Sequence, residues 1–437
     1  MDRSRKERGG DLDSLRISGG RPLSGTVRIS GAKNAVLPIM AASLLTDQTC
    51  HLQEVPRLLD VVTSFYLLRS LGAEINWNGR EMILRTPHLA GVEAPYEFVR
   101  RMRASFLVFG PLLARAGRAK VALPGGCAIG TRPVDQHLKG FAALGASIEV
   151  SHGVVRAKAR RLEGARIYLD VPSVGATENL MMAATLARGT TVIENAACEP
   201  EVVDLANFLN AMGARVSGAG TRSIRIEGVK SLKGARHTVI PDRIEAGTYM
   251  AAVLAAGGRA RLENVIGSHL TAVLAKFREM GATVTDLGGT VVVERDPERP
   301  LAAADIRALP YPGFPTDLQP QVAAVLTLAR GMSVVTDMVF DSRFTYVEEL
   351  RRLGAEIRVE GRSAVIHGPA ILSGAQVRAH DLRAGAALVV AALAASGETE
   401  ISGVEHLERG YENLGGKLAD LGVRVGSPIS LRSEALV

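Results

Sequence analysis

The stretch LGAEI at residues 71–75 returns five more times, as LGASI from 144, MGARV from 212, MGATV from 280, LGAEI from 353 and LGVRV from 421. Its glycines are Gly72, Gly145, Gly213, Gly281, Gly354 and Gly422, so successive copies lie 73, 68, 68, 73 and 68 residues apart. A period near 70 held through six copies is the mark of internal duplication. An amphipathic run precedes each copy, VVDLANFLNAM or TYVEELRRL for example, with apolar residues at helical spacing. An alternating run such as AEINW or AEIRVE follows it. Glycine at the junction predicts a helix stop, because the residue after a helix C-cap adopts a left-handed conformation that costs glycine little.

Each repeat carries a second helical run upstream of its glycine. These are KNAVLPIMAASLL, RASFLVFGPLLARAG, TENLMMAATLARG, EAGTYMAAVLAAG, TDLQPQVAAVLTLARG and AGAALVVAALAASG. They are apolar nearly all round, which predicts burial. Several open on a charged residue: Lys33, Arg103, Glu245, Asp317 and Arg383. A helix start offers free N–H donors and suits anions. Each unit therefore reads as two helices with three or four strands. Six units exceed one core, so the chain is expected to divide into two domains of three, joined near residues 238–244. The first strand, LRISGG, could pair with either half.

Composition narrows the class. The chain has 437 residues, 47% hydrophobic and 22% charged, which is globular. Cys50, Cys127 and Cys198 show no CxxC spacing, so neither a disulfide framework nor a zinc site is supported, and a reducing cytoplasm is the expected setting. Residues 1–14 are polar and read as a disordered lead-in rather than a signal peptide. The longest small-apolar run, AGAALVVAALAA, falls short of the roughly 20 residues a membrane span needs, so a soluble protein is expected. A net charge of +7 favours anionic partners. With only 4% aromatic residues and no dense basic block, a small anionic substrate fits at least as well as nucleic acid. No GxxxxGK[ST], HExxH or strand-linked GxGxxG is present, which argues against P-loop hydrolysis and metalloprotease chemistry.

Candidate chemistry gathers in a few stretches. LPGGCAIGTRPVDQH, from 123, is either a glycine-rich surface loop with an incidental cysteine or a mobile lid carrying a working thiol. A nearby arginine would lower the pKa of Cys127. A Cys127/His137 hydrolase dyad is a further option without specific support. Lys33 in GAKNAVLP is either an exposed terminal lysine or one that shares an anion with the helix start it otherwise opposes. Arg103 in RRMRAS and Arg383 in DLRAGAA repeat that placement. Asp317, after Pro315, is either a stabilising first-turn acid or a general base. Asp242, Arg243 and Glu245 suggest a structural ion network. By spacing alone, Arg343 and Arg409 are ordinary surface arginines, and the remaining histidines show no ligand spacing.

Taken together, GAKNAVLP, RRMRAS, LPGGCAIGTRPVDQHLKG, PSVGATEN, ENAACEPEVVDLANFL, PDRIEAGT, FPTDLQ, SGAQV, DLRAGAALV and RGYENL resemble the bacterial UDP-N-acetylglucosamine enolpyruvyl transferases from about residue 15 to 425. The resemblance implies an α/β fold: a two-domain inside-out α/β barrel of six βαβαββ-like repeats, three per domain, with the active site in the interdomain cleft. It implies a first domain over 33–240 and a second over 15–32 plus 241–437. It also implies transfer of the enolpyruvyl group of phosphoenolpyruvate to the 3′-hydroxyl of UDP-N-acetylglucosamine, with release of phosphate and no metal or organic cofactor. This is the committed step toward peptidoglycan.

By the same resemblance, Cys127 is the lid cysteine that donates a proton and forms a covalent adduct, and Asp317 takes the 3′-hydroxyl proton. Lys33, Arg132 and Arg409 match the phosphate-binding group, and Arg343 and Arg383 match arginines near the carboxylate. Asn34, Arg103, Val339 and the run Arg132, Pro133, Val134, Asp135 and Gln136 match sugar-nucleotide contacts. Ser173, Val174 and Gly175 match a loop near the diphosphate. The chain departs from the family pattern at Ser342, at Thr345-Tyr346 in place of Met-His, and at Pro320, read as the second turn of its helix. These departures leave open a paralogous transferase with another acceptor. The shikimate-pathway enolpyruvyl transferase and a basic RNA- or nucleotide-binding regulator are the competing readings. The oligomeric state stays open.

Overall fold

The computed structural model describes residues 14–124 and 134–426. The described chain forms two compact units, one of residues 14–29 and 241–426, the other of residues 30–124 and 134–240. The first is called here the Asp317 unit and the second the Lys33 unit.

The six glycines are helix stops. All six have positive φ, from 83° at Gly422 to 107° at Gly281. The preceding helices are Leu59–Ser70, Asp135–Ala143, Pro200–Ala211, Thr271–Glu279, Val347–Arg352 and Leu414–Asp420. Each ends in the same pair of bonds. After the first, Gly72 N–H donates to Arg69 O at 3.0 Å and Ala73 N–H to Leu68 O at 3.0 Å. This is the Schellman arrangement, which satisfies carbonyls left open at the helix end. The motif therefore turns the chain from helix into an outer strand once per repeat.

Among the described residues, the strands form six sheets, five of four strands and one of five, three sheets to each unit. One pattern recurs: a parallel pair, then two antiparallel neighbours. In the Lys33 unit, Glu93–Ala94 runs parallel to Arg118–Ala122, which pairs antiparallel with Val154–Lys158, itself antiparallel to Ser147–Ser151. Three of these positions are filled from distant sequence. Arg236–Thr238 lies parallel to Cys50–Gln53 and closes the Lys33 unit. Leu23–Arg28 lies parallel to Gly258–Val265. Ser14–Ser18, the strand with no sequence-assigned partner, inserts between Glu398–Ser402 and Arg424–Gly426.

Inside the sheets lie the apolar helices. In the Asp317 unit, Arg243–Ala256, Gln319–Leu326 and Leu382–Ala394 pack on one another, with every residue of Gln319–Leu326 buried. Lys33–Ala42, Phe109–Ala116 and Val174–Ala184 are the counterparts in the Lys33 unit. Each unit thus places helices inside and sheets outside, as the uniform hydrophobicity of those runs predicts.

Two helices differ from the sequence reading at their starts. RASFLVFGPLLARAG is not one helix: Arg103–Val108 is a 3₁₀ turn, and the α-helix begins at Phe109. Likewise Thr316–Leu318 is a 3₁₀ turn before Gln319–Leu326. Pro320 consequently falls in the first α-helical turn rather than the second, where its missing N–H removes no helical bond.

Candidate active site

Asp317 sits at the 3₁₀ turn that leads into a buried helix, 24% exposed. Two arginines grip its carboxylate. Arg343 Nη2 lies 2.7 Å from Oδ1, and Arg383 Nη2 lies 2.9 Å from Oδ2. Both guanidiniums are nearly inaccessible, with side chains 5% and 4% exposed. Spacing alone leaves Arg343 an ordinary surface arginine until a fold gathers it, and here the loop after strand Ala329–Asp337 folds it inward onto Asp317. Arg383 is the second residue of helix Leu382–Ala394. The N-cap Asp381 accepts from its backbone N–H and that of Ala384 at 2.9 Å each. Burial opposes the charge on Arg383, but Asp317, followed by Tyr411 and Asp242, outweighs burial and raises its pKa.

Asp337 braces the other side. Its Oδ1 accepts from the backbone of Val339 at 2.8 Å and Phe340 at 2.9 Å, and its Oδ2 from Thr316 Oγ1 at 2.6 Å. Thr316 Oγ1 in turn accepts from Arg343 Nη1 at 2.9 Å. Val339 is therefore linked to the arginine pair through the Asp337 turn. Arg409 caps the short helix Glu405–Glu408 and is half-buried. The departures from the family pattern have partners as well. Thr345 Oγ1 donates to Asp381 Oδ2 at 2.8 Å, and the buried Tyr346 hydroxyl accepts from Gln319 Nε2 at 3.0 Å. Burial pushes the pKa of Tyr346 up. Ser342 is exposed.

In the Lys33 unit, Lys33 opens helix Lys33–Ala42 and pairs with Asp60 Oδ2 at 3.2 Å. The lysine side chain is 12% exposed, so it is not the free surface lysine that its place at a helix start allowed. Asn34 beside it is exposed.

A second group forms around His137. Asn179 Nδ2 lies 3.2 Å from His137 Nδ1 and also donates to Phe106 O at 2.9 Å, while its Oδ1 accepts from Gly110 N–H at 2.7 Å. Burial first, and Arg103 second, lower the pKa of His137 to about 3 against a smaller opposing effect of Asp135. The imidazole is therefore neutral. With Nδ1 accepting from Asn179, Nε2 carries the proton. A Cβ at Gly175 would stand 3.5 Å from His137 Cε1 and Nε2, so the start of helix Val174–Ala184 lies against this ring. Ser173 caps that helix by accepting from Ala176 N–H at 3.4 Å. Gln136 is fixed to Asp170, donating to Oδ2 at 3.0 Å and accepting from its backbone N–H at 2.8 Å. Val134 is the N-cap of Asp135–Ala143.

The fold thus gathers Asp317, Arg343, Arg383 and Val339 in one unit. It gathers Arg103, Asp135, Gln136 and Ser173–Gly175 near His137 in the other. Cys127, Arg132 and Pro133 lie outside the described residues. At 242–245, Asp242 caps helix Arg243–Ala256, and Glu245 pairs with Lys417. Sequence reasoning missed Thr316, Asp337, Asn179 and Tyr411 as braces. Thr316, Asn179 and Tyr411 stand within the quoted motifs FPTDLQ, PSVGATEN and RGYENL, and Asp337 stands in none. Among the described residues, no group of three or more His, Cys, Asp or Glu side chains could hold a metal ion, and no helix is long and apolar enough to cross a membrane.

The two three-sheet units with helices inside are the fold of the enolpyruvyl transferases. The structure of the enolpyruvyl transferase NikO from Streptomyces tendae superposes with a TM-score of 0.85 at 26% identity, over 95% of this chain and 99% of that one. The profile of the EPSP synthase (3-phosphoshikimate 1-carboxyvinyltransferase) family matches residues 17–418. Within that family, the chain belongs to the UDP-N-acetylglucosamine 1-carboxyvinyltransferases. It is 57% identical to UDP-N-acetylglucosamine 1-carboxyvinyltransferase 2 of Carboxydothermus hydrogenoformans, over 95% of this chain and 99% of the relative. It is 53% identical to UDP-N-acetylglucosamine 1-carboxyvinyltransferase 1 of Halalkalibacterium halodurans, over 97% and 96%.

Proposed function

We propose that the chain transfers the enolpyruvyl group of phosphoenolpyruvate to the 3′-hydroxyl of UDP-N-acetylglucosamine, releasing phosphate, in the first committed step of peptidoglycan synthesis. The route is addition followed by elimination through a tetrahedral ketal. The observation that carries this reading is the Asp317 carboxylate between the buried guanidiniums of Arg343 and Arg383, in a chain that matches transferases of this name end to end.

The chemistry follows from that arrangement. Two buried arginines are a bidentate receptor for a carboxylate. Without substrate, Asp317 fills that role. When the phosphoenolpyruvate carboxylate competes for Arg343 and Arg383, Asp317 is released to take the 3′-hydroxyl proton as general base. Cys127 supplies the proton to C3 of phosphoenolpyruvate. Lys33, Arg132 and Arg409 neutralise the phosphate, both before and after it leaves. Asn34, Arg103, Arg132, Pro133, Val134, Asp135, Gln136 and Val339 hold the sugar nucleotide. Ser173, Val174 and Gly175 offer backbone N–H groups at a helix start to the diphosphate. No metal or organic cofactor has a part in this scheme. The reading sets the protein in the reducing cytoplasm, which suits the free thiols Cys50 and Cys198.

The test is acceptor choice. Purified protein given phosphoenolpyruvate is offered UDP-N-acetylglucosamine or shikimate 3-phosphate in parallel. The reading expects consumption with the sugar nucleotide alone, and preference for shikimate 3-phosphate would refute it.

A further inference from the structure

Behind Arg383 runs a buried chain of polar groups to which the proposed reaction assigns no role. Tyr411, 3% exposed, places its hydroxyl 2.9 Å from Thr248 Oγ1, 3.2 Å from Gln321 Nε2 and 3.2 Å from Arg383 Nη1. Proton counting gives this chain one direction. Thr248 has a single hydroxyl proton, and it goes to Ile244 O at 2.8 Å. Toward Tyr411, Thr248 Oγ1 can then only be an acceptor, as it also is toward Gln321 Nε2 at 3.1 Å, so the phenol proton is committed there. The Tyr411 oxygen is left as an acceptor for Gln321 and for Arg383. Burial raises the pKa of Tyr411 and keeps the phenol protonated, as this arrangement requires.

The same device appears at the other arginine. Thr316 commits its proton to Asp337 Oδ2 and turns its oxygen to Arg343 Nη1. Each guanidinium therefore spends one Nη on Asp317 and the other on a hydroxyl whose own proton is tied elsewhere. For Arg383 the two bonds define a plane: Asp317 at Nη2 and Tyr411 at Nη1. Loss of the second would let the guanidinium turn about the first.

We infer that Tyr411 is a positioning residue that fixes the plane of Arg383 against Asp317, acting through a directed hydrogen-bond chain anchored on Thr248. The consequence for turnover rests on the proposed transferase reading, whereas the consequence for Arg383 does not. Since one hydrogen bond to a charged group is at stake, the expected effect is about tenfold.

Tyr411→Phe is the test, because it keeps the ring, which lies 5.7 Å from the Arg383 guanidinium carbon. It is expected to lower kcat/KM for phosphoenolpyruvate about tenfold while KM for the sugar nucleotide stays unchanged. Thr248→Val should produce a loss of the same kind, and the double variant should be no worse than Tyr411→Phe alone. A merely structural role would give additive losses and no selectivity between substrates, and that result would overturn the inference. A second readout needs no turnover. In ¹⁵N-arginine spectra of the free protein, with Arg383 assigned by Arg383→Lys, its Nη protons should exchange slowly in the parent and fast in Tyr411→Phe. Slow exchange retained in Tyr411→Phe would overturn the inference even if the parent protein proved inactive with UDP-N-acetylglucosamine, an outcome that would refute only the functional reading.

Discussion

Replacing Asp317 by alanine should destabilise the Asp317 unit, and the size of the effect follows from its surroundings. The carboxylate makes two charge-assisted contacts, at 2.7 and 2.9 Å, to guanidiniums that are only 5% and 4% exposed. Removing one member of a buried ion pair costs about 3–5 kcal/mol, because the remaining charge loses its partner but not its burial. Asp317 itself is 24% exposed, so water can partly replace it, and the lower figure of about 3 kcal/mol applies. For a unit of this size, that corresponds to roughly 6–12 °C in midpoint. The assay is calorimetric melting of parent and Asp317→Ala in a buffer of weakly binding anions, repeated with phosphate or phosphoenolpyruvate added. The variant should melt lower, and an added anion should recover most of the difference by taking the place of the carboxylate between the arginines. An unchanged or raised midpoint in the anion-poor buffer would refute the reasoning, since it would mean that the arginines do not depend on Asp317.

Further outcomes follow from single residues. Gly213→Ala should cost about 1–2 kcal/mol in urea melts, because φ is 96° but nothing stands within 4 Å of the new Cβ. Gly72→Ala should cost more, because its Cβ would also meet His88 O at 2.5 Å. His137, held near pKa 3 in the folded state, lets the unfolded chain bind more protons between about pH 6.5 and 3. The stability it supports is therefore full above pH 6.5 and lost progressively on acidification. His137→Gln should flatten the decline in melting midpoint over that window. Cys127→Ala should abolish turnover with the fold intact by circular dichroism. Cys127→Asp should retain turnover if the group acts as an acid.

The architecture was legible because one local signal repeats. Gly72 and its five counterparts each sit where a helix must end, and the backbone demand of a Schellman stop is written in the residue itself. The buried helices were equally plain, since runs such as AGAALVVAALAA have no polar face to expose. Their first turns were not: 3₁₀ geometry before Phe109 and Gln319 leaves no mark in composition. For that reason the sequence reads Pro320 one turn too late. The convergence of groups on Asp317 is not written in spacing. Arg343 and Arg383 lie 26 and 66 residues from Asp317, and nothing local says that they converge on it. The braces were hidden for the same reason. The Tyr411 hydroxyl meets Thr248 across 163 residues, and Thr316 meets Asp337 across 21. Strand Ser14–Ser18 pairs with residues near the other end of the chain, a choice that local alternation does not make.

The most direct test of the central claim is phosphate release from phosphoenolpyruvate by purified protein, with and without UDP-N-acetylglucosamine, with the product weighed by mass spectrometry. The account predicts that release depends on the sugar nucleotide. It also predicts one enolpyruvyl group gained by the product for each phosphate freed. Release that proceeds equally without the sugar nucleotide, or a sugar nucleotide recovered with its mass unchanged, would contradict it.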